Sequence, residues 1–162
     1  MERKETKLTG EGFTLIKWDE VSGTNFELFL FNVLGRCNFK NREWHGEYGS
    51  DKGRDIVAFT YEELPFKLGY ERKWIFQCKK RKKMPHITEI TNDMIKAGTH
   101  NPDLWVLVLS FNPTSNQMDT IYENTGKYLK EAKCRILTLT EVEEICYENP
   151  DLTDILYYGE LK

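Results

Sequence analysis

The stretch Trp74–Lys83, WIFQCKKRKK, decides how this chain is read. It begins as an apolar β-type run, sets Gln77 and Lys79 two residues apart, and ends in a dense basic cluster. Side chains of an extended strand repeat every second residue, so Ile75, Gln77 and Lys79 share one face and Trp74, Phe76 and Cys78 the other. The second set reads as core. An amide and an ammonium on the first are costly to bury without partners, which predicts that this face opens onto a site.

A second stretch of the same kind lies upstream, Gly49–Phe59, GSDKGRDIVAF. A glycine-bounded turn delivers Asp55 at the start of the apolar run Ile56–Phe59. If the two strands pair as neighbours, Asp55 stands beside Gln77 and Lys79. A carboxylate, a second oxygen donor and a lysine on adjacent strands are the parts needed to bind a hard divalent cation and cut a phosphodiester. The cation takes oxygen ligands, and the lysine is a point charge for a phosphate or an attacking water.

Bulk properties narrow the classes. A chain of 162 residues is about one domain long and can bury a proper core. With 40% apolar and 30% charged residues it reads as soluble and globular, and a net charge of −3 gives no global nucleic-acid signature. The local asymmetry is sharper. Between Tyr70 and Met84 seven Lys/Arg face one acid, whereas from Leu139 onward seven acids face Lys162 alone. Such a run is ordinarily a solvated face, but this one follows directly on the candidate site. The four cysteines, Cys37, Cys78, Cys134 and Cys146, have no paired spacing and read as reduced thiols, with neither disulfides nor zinc. His45, His86 and His100 are scattered. No apolar run has signal-peptide or membrane-spanning character, so the expectation is a cytoplasmic protein with no membrane partner.

Taken in order, the chain opens with a polar lead-in over 1–12, and Phe13–Trp18 reads as a short strand or extended segment. Asn25–Cys37 is a helix started by Ser22-Gly23-Thr24, with Phe26, Phe29, Leu30, Val33 and Leu34 on one face. Glu27 flanks that face; as a first-turn acid it also suits the helix dipole. A short strand over 38–48 leads into the Gly49–Gly53 turn. After the Asp55 strand, Tyr61–Tyr70 is a loop or hairpin tip marked by Pro65 and Gly69. Beyond Pro85, Ile87–Ala97 is a helix with Ile87, Ile90, Met94 and Ile95 on one side. Leu104–Ser110 is a strand apolar on both faces. Thr114–Glu131 is helical, Cys134–Leu139 a further strand, and Thr140–Tyr147 a helix with a Thr140/Glu143 capping box. This order of elements gives an α/β sandwich around one mixed sheet.

From about Phe26 to Tyr147 these residues resemble the Mrr-like restriction endonucleases, a branch of the PD-(D/E)xK nuclease superfamily. The resemblance rests on Phe26-Glu27 in the first helix, the glycine turn ending in Asp55, and Gln77-Cys78-Lys79 on the following strand. It implies a restriction-endonuclease-like three-layer α/β/α sandwich, with one Mrr-like domain over 1–162 and a core of about 22–148. It implies a Mg2+ (or Mn2+) site made by Asp55, by Gln77 in place of the second acid, by the main-chain carbonyl of Cys78, and by Glu27, directly or through a water. Lys79 would orient or activate the attacking water and offset charge on the transition state. Asp51, in the same turn, would assist or simply bond its own backbone.

The expected function is therefore a metal-dependent endonuclease, acting on DNA in defence against foreign DNA or in DNA processing. Lys80, Arg81, Lys82 and Lys83 would grip phosphates by a sequence-independent, salt-sensitive contact. RNA is the other substrate this chemistry admits. Cutting both strands of a duplex favours a homodimer, and the lack of an evident DNA-reading segment favours a fused or associated recognition or activating domain. Two other readings compete. One is a catalytically silent nucleic-acid-binding module of the same fold, since Gln77 leaves one carboxylate fewer. The other is an ordinary α/β protein with a structural Asp55–Lys79 ion pair.

Overall fold

The structure, a computed structural model, describes residues 15–46 and 55–162. The lead-in over 1–12, the Gly49–Gly53 turn and Asp51 lie outside the described residues.

Among the described residues, five strands form one sheet whose spatial order follows the chain: β1 (Lys40–Trp44), β2 (Ile56–Glu62), β3 (Tyr70–Lys79), β4 (Leu104–Leu109) and β5 (Lys133–Leu137). The pairs β1–β2 and β2–β3 are antiparallel, and β3–β4 and β4–β5 are parallel. The sheet is therefore mixed. Helices α1 (Gly23–Arg36), α4 (Leu139–Glu148) and α5 (Asp154–Tyr158) cover one face, and α2 (Ile87–Gly98) and α3 (Ser115–Tyr128) the other. The order of elements led to the expectation of an α/β sandwich around one mixed sheet, and the resemblance to three α/β/α layers; both are found.

Alternation along the strands divides the core. Ile56, Ala58, Phe76, Cys78, Val106 and Val108 pack against α1 and α4, while Val57, Ile75, Trp105, Leu107, Leu109 and Ile136 pack against α2 and α3. Strand β4 contributes fully to both clusters, which is why its sequence is unbroken by polar residues. Trp105, on β4, is fully buried. Among the described residues no helix is long and apolar enough to cross a membrane.

Helix starts follow local chemistry. The Ser22 hydroxyl accepts the Asn25 N–H at 3.1 Å and opens α1. The His86 ring opens α2 by accepting the Thr88 N–H at 3.1 Å. Thr114 and Gln117 form a reciprocal capping box at α3, with bonds of 2.8 and 3.1 Å. The box expected at Thr140 and Glu143 lies two residues earlier, on Thr138 and Glu141, whose carboxylate accepts the Thr138 N–H at 3.1 Å. Both pairs have the right spacing. The end of β5 at Leu137 decides between them, because the chain leaves the sheet there. Glu143 is instead engaged by the Trp18 indole N–H at 3.1 Å.

Three further expectations are refined. Of the two forms expected for 13–18, no strand forms over its described part; Ile16 and Trp18 pack on the core, and Trp18–Glu20 is a short 3-10 turn. Trp18 sets its ring edge-on to Phe26, 5.8 Å between centroids, and that contact fixes the segment. Ile95 is exposed, and the buried side of α2 is Ile90, Asp93, Met94 and Ala97, so a carboxylate lies within the apolar stripe. The hairpin tip expected over Tyr61–Tyr70 is shorter than that, since Tyr61 and Glu62 pair with Glu71 and Tyr70 in the ladder. The tip, Pro65–Lys67, carries an outward Phe66 at φ 62° and stands at the end of the hairpin remote from Asp55.

Candidate active site

The buried polar or charged residues of the described chain are Asp55, Gln77, Lys79, Asp93 and Ser110. All of them gather at one end of the sheet. Strand β2 starts there, β3 and β4 finish there, and α2 passes over it. Burying a polar side chain without partners costs about 1–3 kcal/mol, and a charge more. Concentrating such groups at one edge of an otherwise apolar core marks this edge as the candidate site.

Register builds it. Ile56 pairs with Phe76, so Asp55 comes beside Gln77. Main-chain bonds fix the approach: the Asp55 N–H donates to the Phe76 carbonyl at 3.1 Å, and the His45 N–H donates to the Asp55 carbonyl at 2.8 Å. The carboxylate of Asp55 then accepts the Cys78 N–H at 2.7 Å and the Gln77 amide at 3.2 Å, both on Oδ2. Asp55 and Gln77 are thus brought together as the spacing predicted.

Lys79 belongs to the same strand but engages a different set of partners. Its ammonium lies 2.6 Å from Asp93 and 2.8 Å from Glu89, successive acids on one face of α2. The same Glu89 oxygen, Oε2, also accepts from Arg81 at 2.7 Å. Burial works against the charge of Lys79, but the bonds to Asp93 and Glu89 outweigh it and hold the ammonium above its ordinary 10.5. Conversely the Lys79 hydrogen bond holds the Glu89 carboxyl below its ordinary value. The structural ion pair of Lys79 is therefore with Asp93 and Glu89, where the sequence suggested Asp55. Ser110 braces the turn after β3. Its hydroxyl accepts the Arg81 N–H at 2.9 Å, and its own N–H donates to the Lys79 carbonyl at 3.2 Å.

Glu27 reaches this end from the opposite face, on α1, where its carboxylate accepts the Trp44 indole N–H at 3.0 Å. Gly46 makes room for it: a Cβ there would fall 1.9 Å from the Glu27 carboxylate oxygen. Burial first, then the charges of Asp55 and Glu27, push the Cys78 thiol well above its ordinary range, so both carboxylates act on the same strand end. Of the basic run, Lys80 is half-buried near the start of α1 and Arg81, Lys82 and Lys83 are exposed. Lys82 stands 3.6 Å from Asp19.

The donor chemistry here fits a hard cation. Two carboxylates (Asp55 and Glu27), the Gln77 amide oxygen and the Cys78 main-chain carbonyl are all oxygen donors of the kind Mg2+ and Mn2+ take. Among the described residues no three His, Cys, Asp or Glu side chains are grouped to hold an ion, so such a site depends on the amide and main-chain oxygens.

Sequence reasoning missed Asp93, Glu89 and Ser110. For Asp93 a signal existed: it falls three residues after Ile90 and one before Met94, inside the apolar stripe of α2. A carboxylate in that position needs a buried cation, and Lys79 was the candidate already in view. Glu89 and Ser110 carry no comparable signal.

No protein-family model matches the sequence, and no curated protein does so either. Among solved structures, the chain is similar to a DNA modification-dependent restriction endonuclease, AspBHI, with a TM-score of 0.44 and 11% identity over 91% of this chain. The chain spans 42% of the length of that protein.

Proposed function

We propose that this domain is a metal-dependent phosphodiesterase of the restriction-endonuclease-like, Mrr-like type acting on DNA. The observation that carries the reading is the burial at one sheet end of Asp55 and Gln77, bonded to each other, and of Lys79, held by Asp93 and Glu89, where the chain continues into the exposed cations Arg81, Lys82 and Lys83. Their type and order match the resemblance drawn from Gln77-Cys78-Lys79 and Asp55.

In this reading Asp55, Glu27, Gln77 and the Cys78 carbonyl hold Mg2+ or Mn2+. The bound cation would supply Lewis-acid stabilisation of phosphoryl charge and a more acidic water. The chain's own groups do the remaining work. Asp55 is kept in place by the Cys78 N–H and the Gln77 amide, so its carboxylate is oriented before any ligand arrives. Lys79 stays an ammonium across neutral pH because Asp93 and Glu89 hold its proton. It acts as a hydrogen-bond donor and fixed positive charge toward a phosphate oxygen or the attacking water, and, being already protonated, it is a positioning and charge-offsetting group and not the base. Lys80, Arg81, Lys82 and Lys83 bind backbone phosphates without reading sequence. A role in defence against foreign DNA or in DNA processing, with a homodimer or an associated recognition domain, extends the same proposal.

The test is incubation with supercoiled plasmid in Mg2+ or Mn2+ and in EDTA, alongside Asp55→Ala and Lys79→Ala. Metal-dependent nicking absent from both variants is the expected result. Cleavage at the normal rate by Lys79→Ala refutes the assignment. A second reading, a binding module that no longer cuts, draws support from the neutral Gln77 and from the pairing of Lys79 with Asp93 and Glu89. Salt-sensitive DNA binding without cleavage under either metal would favour it.

A further inference from the structure

The acidic pair on α2 does two different jobs. Asp93 is buried, on the core face of the helix between Ile90 and Met94, and its bond to Lys79 is closed off from water. Glu89 is in the first turn of α2, and its side chain keeps 38% of its exposure. One oxygen of that carboxylate sits between two cations, 2.8 Å from Lys79 and 2.7 Å from Arg81. An ammonium and a guanidinium converging on one oxygen are groups that also hold a phosphate oxygen.

We infer that Glu89 fills the seat of a nucleic-acid backbone phosphate between Lys79 and Arg81, and that substrate binding replaces the Glu89 carboxylate with that phosphate. The inference rests on the proposed nucleic-acid reading and specifies how the site is kept before substrate arrives. Charge balance supports it. Lys79 and Arg81 are offset by Glu89 and Asp93, so the four groups sum to zero. A phosphodiester carries one negative charge, so its exchange for Glu89 leaves the sum at zero. Entry without exchange would leave an excess negative charge against a lysine that is 9% exposed. Asp93 stays behind and keeps Lys79 charged and aimed while Glu89 turns to solvent, a rotation that leaves Ile90, Met94 and Ala97 in the core.

The test measures binding apart from cutting. A short fluorescent duplex is titrated by anisotropy in EDTA with the wild-type chain, with Glu89→Gln, with Glu89→Asp, and with Asp19→Asn. The last removes an acid on the Trp18–Glu20 turn that faces the same basic run at Lys82, both side chains being exposed. Glu89→Gln is expected to bind roughly three- to tenfold tighter than wild type, with a salt dependence steeper by about one released counterion. Glu89→Asp, which keeps the charge but draws it back by one methylene, is expected to tighten less. Asp19→Asn should change affinity less than twofold.

Equal tightening in Glu89→Gln and Asp19→Asn would reduce the effect to net charge and overturn the exchange. Weaker binding by Glu89→Gln, with a thermal midpoint unchanged from wild type, would overturn it as well, since Glu89 would then support the site and not block it. If no chain binds DNA at all, both the exchange and the nucleic-acid reading fall. If the affinities shift as expected but no metal restores cutting, only the nuclease reading falls.

Discussion

Replacing Lys79 by methionine removes one charge and leaves the side-chain volume nearly unchanged. The Lys79 ammonium, 9% exposed, touches two carboxylates of unequal burial: Asp93 at 2.6 Å, 11% exposed, and Glu89 at 2.8 Å, 38% exposed. At an effective dielectric of about 20 the attraction to Asp93 is on the order of 6 kcal/mol, most of which offsets desolvation of the two groups. Losing the lysine therefore takes from Asp93 the buried cation it pairs with, at a cost of about 3–5 kcal/mol. Glu89 adds no more than about 1 kcal/mol, because it is over a third exposed and retains Arg81. Against a typical domain stability of about 5–15 kcal/mol, Lys79→Met should lower the urea midpoint severely without changing the slope. The companion variant Lys79→Met/Asp93→Leu removes that buried carboxylate and should recover stability to within about 1–2 kcal/mol of wild type. Urea unfolding followed by circular dichroism at pH 7 measures both. A double variant no more stable than Lys79→Met would refute the claim that the loss is carried by the buried Asp93 carboxylate deprived of Lys79.

Other outcomes follow from the same contacts. Gly46→Ala sets a methyl against the Glu27 carboxylate and the Trp44 indole, so it should weaken metal-dependent cleavage about tenfold or more while the thermal midpoint moves little; tryptophan fluorescence reports the displaced indole. The lowered Glu89 carboxyl adds stability that is complete above its unfolded value and lost as pH falls through the folded one. The stability difference between wild type and Glu89→Gln should thus be flat near neutrality and shrink below about pH 4. Lys79 works the other way: its contribution is complete below its unfolded value and lost as pH rises past 10.5, so wild type should lose its advantage over Lys79→Met in strong alkali. Thiol labelling of the native chain at pH 8 should modify exposed Cys37 quickly. It should spare buried Cys78 and Cys146, and also Cys134, which burial pushes up to about 12.

The fold was legible because its signals are local or periodic. Two-residue alternation placed Trp74, Phe76 and Cys78 opposite Ile75, and the unbroken run Leu104–Leu109 announced a strand covered on both sides. The pairing of Asp55 with Gln77 was legible too, because a hairpin fixes register between strands close in sequence. What escaped depends on where helices sit over the sheet. The pattern of α2 gave its apolar side to within one residue, yet that residue decided between Ile95 and Asp93 as the buried one. A helix turns by about 100° per residue, so the two positions point some 200° apart. The partner of Lys79 was therefore not readable from the strand that carries it. The Thr138/Glu141 cap was missed for a related reason: two valid boxes overlap, and only the end of β5 chooses between them.

Folding alone does not account for the cluster around Lys79. If buried ion pairs are often replaceable by apolar residues with no loss of stability, the pair Lys79–Asp93 is not explained by the need to hold β3 against α2. Ile75, Leu107, Ile90 and Met94 already do that in the adjoining core. The same holds for Asp55, whose position at the start of β2 would be served by main-chain bonds to Phe76 and His45 without any carboxylate. Polar groups that the fold does not need, gathered at the one sheet end where cations continue outward along Arg81, Lys82 and Lys83, call for an explanation in chemistry. Recovery of stability in Lys79→Met/Asp93→Leu, joined to loss of cleavage in that same protein, would separate the two roles directly. A double variant that folds and still cuts would leave the cluster without a function and return Lys79 to the status of a structural ion pair.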